Sequence, residues 1–191
     1  MRKTIVIATI LVLSALLAFG WGFLQDCVLR VIYKTDYSEY VERFSKEYGV
    51  PQSIVYAVIK TESSFHTDAV SNAGAIGLMQ ITPDTFDWLC SKTGEDPISS
   101  LLYDPETNIR YGTYYLSLLQ HEFVAWDTVY AAYNAGRTRV KGWLSTEEYN
   151  NNGRLRNIPF SETENYIKKV NKAKSIYERL YFGKSAGAVT E

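Results

Sequence analysis

Cysteine and histidine are nearly absent. The 191 residues hold two of each, Cys27, Cys90, His66 and His121. A small disulfide-stapled scaffold carries several spaced pairs, and a zinc site gathers Cys and His at ligand spacing. Neither pattern occurs, so no metal and no cofactor are expected, and the four residues read as ordinary buried or surface groups. Charge of one sign is also lacking. The formal net charge is −1, and beyond residue 30 there are 17 basic and 20 acidic residues. The basic surface that nucleic acid requires is missing. No internal repeat, low-complexity tract or long Gly/Ser or Pro linker divides residues 31–191. Strand signals are scarce as well, which leaves a mainly helical chain.

What is present is a chain long enough for one domain and an appendage, with 15 Tyr and 4 Trp. These side chains join an apolar face to a polar tip, which suits sugar rings and also suits a core. From Thr4 to Gln25 there are 22 residues without a charge, preceded by Arg2 and Lys3 and closed by Asp26. A helix of that length crosses roughly 30 Å of hydrocarbon. The basic flank stays in the cytoplasm and everything after residue 26 lies outside. Residues 1–30 are therefore expected to be a single-pass anchor in the cell membrane. A cleaved signal peptide would have a shorter apolar core, and a lipid-bearing Cys27 would follow small residues, unlike Leu24-Gln25-Asp26.

Beyond a short connector, Val28 to Thr35, the pattern predicts a series of helices. Asp36 or Ser38 caps one that Gly49 stops, and Pro51 and Ser53 begin a second, dense in Ile and Val, with Glu62 at its end. Residues 66–81 read as an irregular loop with Gly74, Gly77 and a short β-like element. Thr82-Pro83 and Asp104-Pro105 open two more helices, and Trp126–Ala135 and Arg137–Leu144 follow. Asn150 to Gly153 reads as a surface loop. Ser161 and Glu164 read as a capping box for the last helix, to about Tyr181, and residues 183–191 as a flexible tail.

Glu62 carries the chemistry. A carboxyl leaving an apolar helix and faced by a glycine-bearing loop is held partly dry, and the negative end of the helix dipole raises its pKa further. Such a group keeps its proton at neutral pH and can deliver it, as cleavage of a glycosidic bond requires. A solvated surface glutamate is the plain alternative.

The motifs around it fall into one order. Glu62-Ser63 is followed by Ser71, then Gly74-Ala75-Ile76-Gly77-Leu78-Met79-Gln80-Ile81-Thr82-Pro83. Ala132-Tyr133-Asn134-Ala135-Gly136 comes next, and then Ile158-Pro159-Phe160-Ser161-Glu162-Thr163 with Tyr166 and Val170. This series, over residues 37–182, resembles the catalytic domain of the soluble-lytic-transglycosylase family, with a goose-type-lysozyme-like fold. The resemblance implies a catalytic domain over residues 31–182 that cleaves the β-1,4 bond between N-acetylmuramic acid and N-acetylglucosamine in peptidoglycan. It implies reaction without water, leaving a 1,6-anhydro ring. Glu62 looks like the single acid and base, and Ser71 like the contact to the muramic N-acetyl group. Met79 and Gln80 look like floor and hydrogen-bond partners of the saccharide. Tyr133 looks like a neighbour positioning the carboxyl, and Glu162 like a saccharide contact.

Each of these has a structural alternative. Ser71 can cap a turn, Met79 can be core, Tyr133 can be packing, and Glu162 can serve a helix N-terminus. Arg137 stands where a small residue or Pro is common in the family. Asp68 and Asp84 are near in sequence, but nothing pairs either with Glu62 as the second carboxylate a hydrolytic glycosidase uses. The rival functions are a hydrolytic muramidase and a non-catalytic peptidoglycan-binding module. The expected partners are peptidoglycan glycan strands and the membrane, with no nucleic acid, and the expected state is a monomer.

Overall fold

The computed structural model describes residues 2–183. The tail expected over residues 183–191 lies, apart from Gly183, outside the described residues. The chain divides into two compact units, residues 1–34 and 35–191.

The first unit is one helix, α1 (Arg2–Ile32), which continues through most of the stretch expected to be a connector. Most of its described apolar side chains, Leu17, Phe19, Trp21 and Phe23 among them, are exposed. Among the described residues no helix is long and apolar enough to cross a membrane. The membrane segment expected over Thr4–Gln25 falls in large part outside them, because the side chains of residues 1–13, 15, 16 and 18 are not described.

The second unit is mainly helical, as expected. Its helices are α2 (Ser38–Tyr48), α3 (Gln52–Glu62), α4 (Pro83–Thr93), α5 (Pro105–Glu122), α6 (Trp126–Ala135), α7 (Arg137–Leu144) and α8 (Ser161–Tyr177). Seven consecutive residues of α3, Ser53 to Ile59, are buried, so this helix is the centre of the domain rather than one of its faces. It packs most extensively against α8, which turns Thr163, Tyr166, Ile167, Val170, Ala173 and Tyr177 inward at helical spacing. Tyr56 of α3 stacks on Tyr177 of α8 with centroids 5.2 Å apart. Tyr111 and Tyr130 are likewise deeply buried, so much of the tyrosine excess is core.

Helix starts and stops follow local chemistry. Gly49 ends α2 at φ 69° with its N–H on the Ser45 carbonyl. Thr82 and Asp104 cap α4 and α5 through their side-chain oxygens, each followed by Pro in the tolerated first turn.

Four expectations need correction. Ser38 is already helical and Tyr37, at φ 62°, occupies the cap position of α2 without a side-chain bond, so neither Asp36 nor Ser38 caps that helix. Ser161 is already helical and Phe160 occupies the cap position without a side-chain bond, so there is no capping box. Glu164 instead pairs with Lys168 one turn on. Residues 150–155 form a small hairpin, β1 (Asn150–Asn151) with β2 (Arg154–Leu155). Asn152 and Gly153 both have positive φ, the conformation a two-residue hairpin turn demands. The last helix gives way at Glu178 to a wider π-helical turn through Phe182. A short 3-10 turn, Ser99–Tyr103, also precedes α5.

Candidate active site

Glu62 is the last residue of α3, and the chain turns sharply after it. Ser64 and Phe65 follow with φ of 51° and 70°, a left-handed pair that costs on the order of 1–3 kcal/mol per residue. Ser63 holds this turn. Its buried hydroxyl donates to the Leu78 carbonyl at 2.8 Å and accepts the Phe65 N–H at 3.1 Å. The end of α3 is thereby tied to the loop over residues 66–81.

That loop is organised by Asn108 of α5, which is completely buried. Its Oδ1 accepts the Met79 N–H at 2.7 Å, and its Nδ2 donates to the carbonyls of Ile76 at 2.9 Å and Leu102 at 2.7 Å. Gly77, at φ 79°, lies directly against this amide, where a Cβ would collide with Asn108 and the Leu102 carbonyl. The two antiparallel bridges of the loop, Val70 with Ile76 and Ile76 with Ile81, are the β-like element expected from its sequence.

Burial pushes the Glu62 carboxyl up to about 7, against an ordinary 4.5. The opposing influence is Tyr166 of α8, whose hydroxyl donates to Glu62 Oε1 at 2.6 Å and favours the ionised form. No carboxylate among the described residues contributes to the shift. Tyr133 of α6 is close enough that Glu62 adds to the upward shift of its own hydroxyl, which burial dominates. Its hydrogen bond, however, goes to the Met79 carbonyl at 2.8 Å. Tyr166 is therefore the tyrosine that grips the carboxyl, and Tyr133 fixes the loop beside it.

The other candidate residues divide. Gln80, at φ 49°, bonds the Ala69 and Gly77 carbonyls through Nε2 at 3.0 and 2.9 Å. With Tyr133, Thr85 and Tyr115 it lines a cavity of about 260 Å³. Met79 corrects the expectation of a saccharide floor. Its side chain is fully buried against Gly112, and only its carbonyl takes part in the site through Tyr133. Ser71 is exposed, and its hydroxyl accepts the Ala75 N–H at 3.0 Å to close a turn. Glu162 is exposed in the first turn of α8, one helical turn ahead of Tyr166. Asn108 went unread because a single Asn in a helix carries no local signal. Tyr166 had one, its spacing of four from Glu162.

The cavity continues into a larger one of about 470 Å³, with Thr85, Tyr115, Ala135 and Gly136 common to both walls. The site thus offers one partly dry carboxyl, poised to give or take a proton near neutral pH, with its neighbour Tyr133 lining the inner cavity.

Residues 39–155 match the family model described as the transglycosylase SLT domain. The chain is 37% identical over 157 residues to the soluble lytic murein transglycosylase of Escherichia coli (strain K12), covering 77% of this chain and 23% of that protein. It is 34% identical over 169 residues to the membrane-bound lytic murein transglycosylase C of Pectobacterium atrosepticum, covering 75% and 47%. Among solved structures it resembles an inactive mutant of the lytic transglycosylase Slt from Pseudomonas aeruginosa, in which a glutamate is exchanged for glutamine. The TM-score is 0.71 at 32% identity, over 79% of this chain and 25% of that one. The chain spans between about a quarter and a half of the length of these relatives.

Proposed function

We propose that this chain, which belongs to the transglycosylase SLT domain family, is a lytic murein transglycosylase with Glu62 as its single acid and base. It cleaves the β-1,4 bond between N-acetylmuramic acid and N-acetylglucosamine in peptidoglycan. The observation that carries this reading is the Glu62 carboxyl, raised to about 7 by burial and, among the described residues, gripped by Tyr166. In the first step protonated Glu62 gives its proton to the glycosidic oxygen, and the N-acetylglucosamine side leaves as an alcohol. The acetamido oxygen of the muramic sugar supports the anomeric carbon in place of a second protein carboxylate. The Glu62 carboxylate then takes the proton of the muramic C6 hydroxyl, whose oxygen attacks the anomeric carbon and closes the 1,6-anhydro ring. Glu62 ends protonated, as it began.

Tyr166 tunes the carboxyl between these two duties, since its hydrogen bond keeps the conjugate base accessible. Gln80 and Tyr133 shape the wall beside the scissile bond. Ser71 and Glu162 are assigned to the acetamido group and to a more distant sugar. The N-terminal helix anchors the enzyme in the cell membrane, with residues 31–182 outside. That reading is supported by the uncharged run Thr4–Gln25 after Arg2 and Lys3 and by a relative named as membrane-bound.

Digests of purified cell walls test the reaction. The wild type should release soluble fragments whose muramic ends are one water lighter than reducing ends, and Glu62→Gln should release none while remaining folded. Substantial release by Glu62→Gln would remove Glu62 from the mechanism.

A further inference from the structure

The polar groups lining the inner cavity divide into those already bonded within the protein and those still open. The Tyr133 hydroxyl donates to the Met79 carbonyl, and both hydrogens of the Gln80 amide go to the Ala69 and Gly77 carbonyls. Thr82 donates its hydroxyl to that of Thr85 and accepts the Thr85 N–H. These three side chains fix the wall and have no hydrogen left for a ligand. Tyr115 of α5 differs. It is half-buried and lines both cavities. Among the described residues its hydroxyl has no hydrogen-bond partner, yet it is not sealed from solvent. Its ring, by contrast, is held. Tyr133 packs on it with centroids 5.3 Å apart, and Trp88 meets it edge-on at 6.0 Å and 78°. A ring clamped between α4 and α6 loses little freedom when a ligand binds. Burial pushes its hydroxyl up to about 12, so the group stays protonated and serves as a neutral donor. Tyr133, which it packs against, is the neighbour of Glu62.

We propose that Tyr115 is a substrate-binding residue, whose hydroxyl donates to a neutral oxygen of the glycan and so sets how a sugar sits beside Glu62. The inference rests on the peptidoglycan substrate proposed above. A sugar offers such oxygens as ring hydroxyls and acetamido carbonyls, and a pre-placed donor on a rigid aromatic wall orients them. The hydroxyl contributes no bond to the fold, so its loss costs binding and not stability. Tyr133 is the opposite case, because its hydroxyl ties α6 to the loop over residues 66–81. Two tyrosines in contact therefore have separable duties, one to the ligand and one to the wall.

Tyr115→Phe keeps the ring and removes only the hydroxyl, and three measurements on the full chain in detergent use it. The first is calorimetric binding of a tetramer of N-acetylglucosamine, a neutral strand without peptide, to Glu62→Gln and to Glu62→Gln/Tyr115→Phe. Loss of one neutral hydrogen bond should weaken binding about fivefold. The second is urea unfolding of the single variants. Tyr115→Phe should be at least as stable as the wild type, whereas Tyr133→Phe should unfold at lower urea. The third is wall cleavage, where Tyr115→Phe should lose about fivefold in kcat/KM, mainly through KM. Equal binding with and without the hydroxyl overturns the proposal, and so does a failure of the Glu62→Gln protein to bind the tetramer. A clear loss of stability in Tyr115→Phe also overturns it, because the hydroxyl would then be bonded within the fold. Hydroxyl-dependent binding of the tetramer by a chain whose wild type cleaves no walls would uphold the role of Tyr115 and count against the transglycosylase reading instead.

Discussion

Replacing Glu62 by glutamine should make the protein more stable at alkaline pH while removing its activity. The folded carboxyl titrates near 7, whereas the ordinary value is 4.5. Between those values the folded chain holds a proton that the unfolded chain has released. Stability therefore falls as pH rises from 4.5 to 7 and levels off above it. At about 1.4 kcal/mol per pKa unit the gap corresponds to roughly 3 kcal/mol, the cost of keeping Glu62 ionised in its dry position. Glutamine never ionises, yet its side-chain oxygen can still accept the Tyr166 hydroxyl that now meets Glu62 Oε1 at 2.6 Å. Urea unfolding of both proteins from pH 4 to pH 9 gives the difference directly. Near pH 4 the two should be closely matched. The variant should then gain with rising pH, reaching an advantage of up to about 3 kcal/mol above pH 8. A difference that does not change with pH, or one that favours the wild type at pH 8, would refute the assignment of a raised pKa to this carboxyl.

Further outcomes follow from the residues around it. Tyr166→Phe deletes the bond that favours the ionised form, so the alkaline limb of the pH–rate profile should move to higher pH, with a lower maximal rate. Asn108→Ala should strip partners from the Met79 N–H and the Leu102 carbonyl, while the Ile76 carbonyl keeps the Ile81 N–H. A loss on the order of 3 kcal/mol or more is expected in chemical denaturation, since each buried unsatisfied group costs about 1–3 kcal/mol. Gly77→Ala forces a side chain into a left-handed position against Asn108 and should lower both the melting temperature and wall cleavage.

The sequence was most legible where one residue type does one local job. Gly49, Thr82-Pro83 and Asp104-Pro105 mark their helix ends because a φ above zero, a cap oxygen or a missing N–H has few substitutes. Glu62 was legible because a charged residue ending an apolar helix must be either solvated or functional. The Asn152-Gly153 turn carried an equally strong signal, and its hairpin was missed because the flanking strands are only two residues long. Ser161 shows the limit of a pattern match, since a capping box needs a serine outside the helix and this one lies within it. Contacts across the fold were harder to read. That Tyr166 rather than Tyr133 reaches Glu62 depends on how α8 lies on α3. That Met79 points into the core depends on Gly112, 33 positions away in the chain.

In the proposed reaction a single carboxyl suffices because the substrate's own hydroxyl, not water, completes it. Wall digestion in heavy-oxygen water, with early products read by mass spectrometry, tests it most directly. The expected muramic ends are one water lighter than reducing ends and free of heavy oxygen. Reducing ends that carry heavy oxygen would contradict it and make the protein a hydrolase.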